Sequence, residues 1–268
     1  KDAPLGVPNE IPLYFLSKKI KKDTSIILSG EGADELLGGY GRIFRSSFEY
    51  EKNKIDTNNI NFYDYFISLY EYVPRTLRDS FINTSTTLRE YFDDILIKDF
   101  KKYSNEQNIF RYFHKYHVQS LLQRLDIATS SSRIMVRSPF IDHELIEYAY
   151  ESVPYDLKLK WKSERTRKLA LNKKPMDYSE ILDIPKYLLK KIGESYLPKE
   201  ILYRSKKGFP VPLNNWIDII EDMALTTLSQ APWLKKGRVE RLLNESKQST
   251  RIVQILWMLI NIEKFRVM

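Results

Sequence analysis

Apolar positions along this 268-residue chain recur mostly at helical spacing, with one early exception. Leu13, Leu16 and Ile20 fall three and four residues apart behind Pro12, a favoured first-turn residue, and predict a helix over 12–22. Thr24 to Leu28 is instead a short β-prone run, closed by Ser29 and Gly30, and predicts a buried strand over 24–29. Helix, strand, glycine turn and helix in succession are the grammar of a parallel α/β sheet, whose ligands sit at the carboxyl ends of its strands.

Beyond Tyr40 nearly everything reads as helix joined by polar connections. Residues 51–61 read as a loop, and 62–73 as an aromatic-rich helix stopped by Pro74. Ile109, Phe113, Tyr116, Leu121, Leu122, Leu125 and Ala128 form the stripe of one long buried helix over 106–133. Asp142 is placed to cap a helix carrying Leu145, Ile146 and Ala149. Ser163 opens another through Leu171, whereas 172–186, with Pro175 and Pro185, reads as an irregular insertion. Further helices are expected over 213–229, 236–246 and 249–264. Val253 to Ile262 is too short an apolar run to cross a bilayer and lies between Arg251 and Lys264, so it is read as a buried helix, with no membrane partner.

Composition narrows the classes. A hydrophobic content of 43% supports a real core. The formal charge of +8 is dispersed in short groups such as Lys18-Lys19 and Lys21-Lys22, which reads as solvated surface and not as a nucleic-acid face. Without cysteine the chain has no disulfide, thiolate metal site or cysteine nucleophile, which suits a reducing, cytoplasmic compartment. The apolar Ile11–Leu16 precedes its basic cluster instead of following it, unlike a signal peptide. The opening KDAPLGVPNEIP reads like the middle of a domain.

Against this background one segment stands apart. Of 9 glycines, Gly30, Gly32, Gly38, Gly39 and Gly41 fall within SGEGADELLGGYG, directly after the strand. A glycine turn opening a helix presents free backbone N–H groups and the positive end of a dipole, which suits phosphate. Glu31, Asp34 and Glu35 would repel phosphate unless a divalent cation intervenes, and Mg²⁺ is commonly held by one or two carboxylates with phosphate oxygens. Glu31 also suits a substrate ammonium. The plainer reading is that Asp34 and Glu35 only stabilise the start of a helix.

Two further segments carry chemistry. In LLQRLDIATSSSRIMVRSPFIDHELIEYA, Asp126 follows Leu125 on an apolar helix, where a structural ion pair is the plain alternative to a substrate contact. The serines at 130–132 lack a nearby histidine, so they are not read as nucleophiles. In YRSKKGFPVPLNNW, Lys206 and Lys207 stand beside Gly208 and Phe209; such lysines serve either as solvated surface or to neutralise developing phosphoryl charge. His114 and His117 are three apart without a recognisable third metal ligand.

Taken in order, these segments resemble the synthetase domain of the asparagine synthetase family. SGEGADELLGGY resembles its SGEG-[AS]-DE-[LIV]-x-GGY signature. LLQRLDIATSSSRIMVRSPFID is similar to its L-x-R-x-D…VR-x-PF-[LI]-D segment, and RSKKGFPVPLNNW to its K-x-GF-x-VP…W loop. The resemblance spans essentially the whole chain, more loosely over 45–105 and 172–190.

It implies an α/β, ATP-pyrophosphatase-like (adenine nucleotide alpha hydrolase-like) parallel-sheet fold, partial and mostly helical here. It implies an enzyme using ATP and Mg²⁺ to adenylate a small-molecule carboxylate, aspartate first, which ammonia then attacks to give an amide, AMP and pyrophosphate. By the same resemblance Ser29 and Gly30 lie against the nucleotide with Lys207 near it, Glu31 and Asp126 contact the acyl intermediate and substrate, Asp34 lies on the metal side, and Lys206 stands beside the adenylate phosphate. The family's upstream SGGxDS pyrophosphate loop does not occur here, and its glutaminase domain requires a cysteine this chain lacks. The chain is therefore read as the carboxy-terminal part of such a domain, inactive alone, with its glutaminase upstream or on another chain. A homodimer is one assembly open to it. Thr129 stands where asparagine-forming members often carry an arginine, which leaves room for other carboxylates, for an amide-forming cyclase like β-lactam synthetase, or for a noncatalytic anion-binding module.

Overall fold

The computed structural model describes residues 3–53, 60–83, 94–100, 102–206, 208 and 211–268, without the side chain of Asn214. Lys207, Phe209, Pro210 and the middle of the expected 51–61 loop lie outside the described residues. The architecture is mostly helical around a small parallel sheet, compatible with an α/β class.

The first helix, Glu10–Ile20, leads into strand β1, Ile26–Leu28, as the pattern predicts. β1 pairs in parallel with β2, Met135–Arg137, in the register Ile26 with Met135, Ile27 with Val136 and Leu28 with Arg137. Ser29 N–H extends this ladder by donating to the Arg137 carbonyl at 2.7 Å. β1 was expected to be buried, yet Ile26 and Leu28 are exposed. With two strands in the sheet among the described residues, only the central pair Ile27 and Val136 reaches partial cover.

The long helix expected over 106–133 is built in three continuous parts: Asn105–Tyr112, a π-helical turn Phe113–His117, and Val118–Ser130. Ser104 accepts from Gln107 N–H and Gln107 answers to Ser104 N–H, a capping box that satisfies two orphan donors at its start. The π turn inserts one residue, rotating the downstream stripe, and such turns often occur at functional sites. Asp142 caps His143–Glu151 as expected, accepting from Glu144 and Leu145 N–H, and Ser163 caps Glu164–Ala170.

Three expectations are corrected. Residues 51–53 end the helix Ser46–Asn53 and do not begin a loop. The expected helix over 62–73 stops at Tyr70, and a second, Arg75–Phe81, starts directly after Pro74. The stretch 172–186 is not merely irregular: Pro175–Tyr178 is a helical turn and β4, Asp183–Pro185, pairs antiparallel with β3, Leu159–Trp161. Pro185 is tolerated at the end of such a strand, where no ladder donor is needed.

Three apolar clusters hold the helices. An aromatic one joins Phe44, Phe62, Phe66, Phe110 and Phe113, with Phe44 and Phe110 ring centroids 4.4 Å apart. A smaller one packs Leu36 and Leu37 against Ile146 and Ala149. The third unites Ile217–Leu228, Arg238–Ser246 and Thr250–Arg266, and the expected helix is buried along Val253, Ile255, Leu256, Trp257, Leu259 and Ile260 but exposed at Ile262. No helix of the described residues is long and apolar enough to cross a membrane.

One buried polar centre ties the glycine segment to the β3–β4 hairpin. Arg45 Nε donates to Asp183 Oδ2 at 3.0 Å and Arg45 Nη2 to the Leu159 carbonyl at 3.0 Å, while its guanidinium stacks 3.9 Å above the Trp161 ring. Both partners are almost wholly buried, so the pair is anchored by hydrogen bonds as well as by Coulomb attraction.

Candidate functional site

The SGEG turn leaves β1 at its carboxyl end and opens the short helix Ala33–Leu37. Gly32 sits at φ 95° and Gly38 at φ 74°, so both ends of that helix need left-handed backbone, which a side chain disfavours. A Cβ on Gly32 would also collide with the Ile141 side chain, and one on Gly39 would collide with the Asp34 carboxylate. Gly30 differs: nothing lies within 4 Å of where its Cβ would stand. The cluster therefore divides, with Gly32, Gly38 and Gly39 required by the fold and Gly30 facing open space.

Asp34 is the electrostatic centre. Its Oδ1 lies 2.9 Å from Lys186 Nζ and 3.3 Å from Lys206 Nζ. Burial raises the Asp34 carboxyl, but the two ammoniums outweigh it and hold the group below the usual carboxylate range. Lys206 Nζ also donates to the Gly39 carbonyl at 3.2 Å and stands 4.5 Å over the Tyr40 ring. Lys186 occupies φ 53°, a left-handed position unusual for a lysine, at the start of Tyr187–Gly193. Sequence reasoning did not single out Lys186, because nothing in its neighbours marks it among the other lysines of the chain.

Glu31 has a different partner from Asp34. Its Oε1 accepts from Arg124 Nη2 at 3.0 Å, and Arg124 Nη1 donates to Asn9 Oδ1 at 3.2 Å. Ser29 Oγ accepts the Glu31 N–H at 3.1 Å, so Ser29 folds the turn and its hydroxyl is already engaged. Arg124 comes from Val118–Ser130, the helix preceding β2, so the parallel pairing of β1 and β2 delivers guanidinium to carboxylate.

Asp126 is on the same helix but exposed, with no ion-pair partner among the described residues. Two residues turn an α-helix by about 200°, so Arg124 and Asp126 leave on opposite sides. The structure thus groups Ser29, Gly30, Glu31, Asp34 and Lys206 around one turn and does not bring Asp126 to them. Thr129 is buried, and its hydroxyl donates back to the Leu125 and Asp126 carbonyls of its own helix.

Behind the turn, Glu35 is 1% exposed and accepts the Tyr40 hydroxyl at 2.6 Å. Burial raises its carboxyl, with the Tyr40 hydrogen bond acting in opposition. His117 Nε2 stands 3.8 Å from the same carboxylate, and its Nδ1 is 2.9 Å from the Tyr70 hydroxyl. Burial, helped by the Arg124 charge, lowers His117 to about 4, so near neutral pH this is a contact with neutral imidazole and not an ion pair.

The described residues contain no group of three or more His, Asp or Glu side chains arranged for a metal ion. Asp34, already shared by two ammoniums, does not fit a resident metal held by protein ligands alone. One open glycine edge, one carboxylate and the two ammoniums paired to it instead suit an anionic substrate, such as a polyphosphate, arriving with its own counter-ion.

The family model for asparagine synthase matches residues 1–265. Asparagine synthetase (glutamine-hydrolyzing) 1 of Bacillus subtilis is 28% identical, over 98% of this chain and 45% of its own length. Asparagine synthetase (glutamine-hydrolyzing) 3 of the same organism is 25% identical over 94% of the chain and 38% of its own length. The enzyme of that name from Rattus norvegicus is 25% identical over 79% of the chain and 26% of its own length. The chain thus spans less than half the length of these relatives. With a match over nearly every residue, and the SGEGADE turn seated at the end of a parallel strand, the chain belongs to the asparagine synthase family.

Proposed function

We propose that this chain forms the synthetase part of an ATP-dependent amide-forming enzyme, with an ATP-pyrophosphatase-like sheet of which β1 and β2 are members. ATP, brought with Mg²⁺ as its counter-ion, adenylates a carboxylate, aspartate first; the carboxylate oxygen attacks the α-phosphorus and pyrophosphate leaves. Ammonia, supplied from glutamine by a separate domain, then attacks the acyl carbon and AMP departs, leaving the amide.

The observation that carries this reading is the Asp34–Lys186–Lys206 cluster at the mouth of the glycine turn. Ammoniums held at a shared carboxylate are preorganised to take up negative charge that develops on departing phosphate oxygens. In this reading Gly30 and Ser29 line the nucleotide, Lys207 is assigned to it by its motif alone, and Asp34 serves the polyphosphate side, where Mg²⁺ would accompany the nucleotide. Glu31, oriented by Arg124, addresses the acyl group and the incoming amine; a substrate-side role for Asp126 rests on its sequence motif alone, since its side chain leaves the helix on the side opposite Arg124.

The test is pyrophosphate release by the full-length protein, with a panel of carboxylic acids. Release is expected only when the acid substrate is present, and Glu31→Ala or Lys206→Ala is expected to abolish it. Undiminished release in both variants would sink the assignment. The acid that supports turnover separates aspartate from other carboxylates.

A further inference from the structure

Lys206 is poorly anchored for a group that must meet a phosphate. Its side chain is 38% exposed, its four-carbon stem is flexible, and its own N–H makes only a 3.4 Å contact with Glu180 Oε2. Asp34 does not single it out, because Lys186 holds the same oxygen more closely, at 2.9 Å. Two contacts are particular to Lys206: the Gly39 carbonyl, which accepts from its ammonium at 3.2 Å, and the Tyr40 ring, 4.5 Å below that ammonium and the only one of the two built into the aromatic cluster.

That ring is fixed on its remaining sides. It stacks against Phe113 at 5.3 Å and Phe44 at 6.3 Å, and His117 meets it edge-on at 5.6 Å. Its hydroxyl ends on buried Glu35 at 2.6 Å. Tyr40 is thus the one aromatic face that joins the rigid aromatic cluster to the flexible lysine among the described residues.

We propose that Tyr40 is the positioning residue of Lys206: its ring face, locked by the aromatic cluster, holds the ammonium at Asp34, while its hydroxyl serves Glu35 and the stability of the fold. The inference rests on the reading that Lys206 faces the adenylate phosphate. The two functions of Tyr40 come apart by substitution. Tyr40→Phe keeps the ring and loses the hydrogen bond; Tyr40→Met keeps the bulk and loses the face.

The experiment is competitive acetylation of the full-length protein with acetic anhydride, read at Lys206 by mass spectrometry with Lys186 as internal reference, alongside pyrophosphate release. In Tyr40→Met, Lys206 is expected to label about two- to fivefold faster relative to Lys186, the range of an exposed cation–π contact. The same variant is expected to lose about tenfold in kcat with a smaller change in the KM for ATP. In Tyr40→Phe, Lys206 labelling is expected to stay at the wild-type level, while the melting temperature falls because Glu35 loses its donor. Tyr40→Leu, read in parallel, guards against a misfolded Met variant. Equal labelling in all variants, or equal acceleration in Phe and Met, overturns the proposal. If labelling behaves as expected but no acid elicits pyrophosphate release from the wild type, the adenylation reading fails and the positioning role stands.

Discussion

Glu31 Oε1 and Arg124 Nη2 meet at 3.0 Å although the two residues lie far apart in the chain, one in the turn after β1 and the other in the helix before β2. Both side chains are largely buried, at 24% and 13% exposure, so each depends on the other for its counter-charge. Arg124→Ala is expected to destabilise the protein by about 1–3 kcal/mol, through a part-buried carboxylate left unpaired. Glu31→Gln is expected to recover part of that loss in the Arg124→Ala background. A double-mutant cycle by urea unfolding measures the coupling, and additivity would show that the contact contributes nothing.

The glycines of the turn are expected to separate by phenotype. Gly39→Ala pushes a methyl group into the Asp34 carboxylate, so it should lower stability by about 1–3 kcal/mol and displace both lysines. Gly30→Ala meets no atom of the chain and should melt like the wild type, while raising the KM for ATP under the proposed function. Thermal melts together with ATP titrations check the pair. A destabilised Gly30→Ala would contradict the open space seen here.

Lys186 is expected to matter as much as Lys206. Lys186→Met should release Asp34 from the nearer of its two ammoniums and allow its carboxyl to rise toward the ordinary range. The carboxyl signal of Asp34, followed by NMR through an acid titration, should move upward, and the rate of pyrophosphate release should fall by about tenfold or more.

The Arg45–Asp183 pair is the principal buried ionic anchor of the β3–β4 hairpin. Asp183→Ala leaves a guanidinium buried at 2% exposure without its counter-charge, and should cost about 3–5 kcal/mol in chemical denaturation. Arg45→Lys should also be less stable than the wild type, since lysine reproduces neither the paired hydrogen bonds nor the stacking on Trp161.

His117 makes a pH-dependent contribution whose sign follows from its buried, neutral state. Its pKa falls from about 6.5 unfolded to about 4 folded, so between these values the unfolded chain binds more protons. Stability should therefore fall as pH drops from about 6.5 to about 4, by an amount of order 1–3 kcal/mol from this group. Glu35, raised by burial, acts in the opposite sense above its ordinary value, so the His117 effect is read as the difference between wild type and His117→Gln. Identical pH profiles of the two would show that His117 titrates normally.

The sequence by itself determined what depends on neighbours along the chain. Period and caps marked most helices, as Asp142 and Ser163 show, because a helix's hydrogen bonds and side-chain neighbours lie within a few residues. The β1 turn and its concentration of glycine and acid were equally legible, because a left-handed turn restricts residue type locally. Only the tertiary structure decided the rest. The partner of β1, the antiparallel β3–β4 pairing, Arg124 on Glu31 and Lys186 on Asp34 all join distant segments. Nothing in local propensity encodes which distant charge will arrive, and a single lysine among many carries no periodic mark. The face on which Asp126 leaves its helix is set by a π turn upstream and by which stripe the aromatic core buries. Packing chose that stripe, and tertiary contacts alone gave each acid of the motif its own partner: Asp34 the two lysines, Glu31 Arg124 and Glu35 Tyr40.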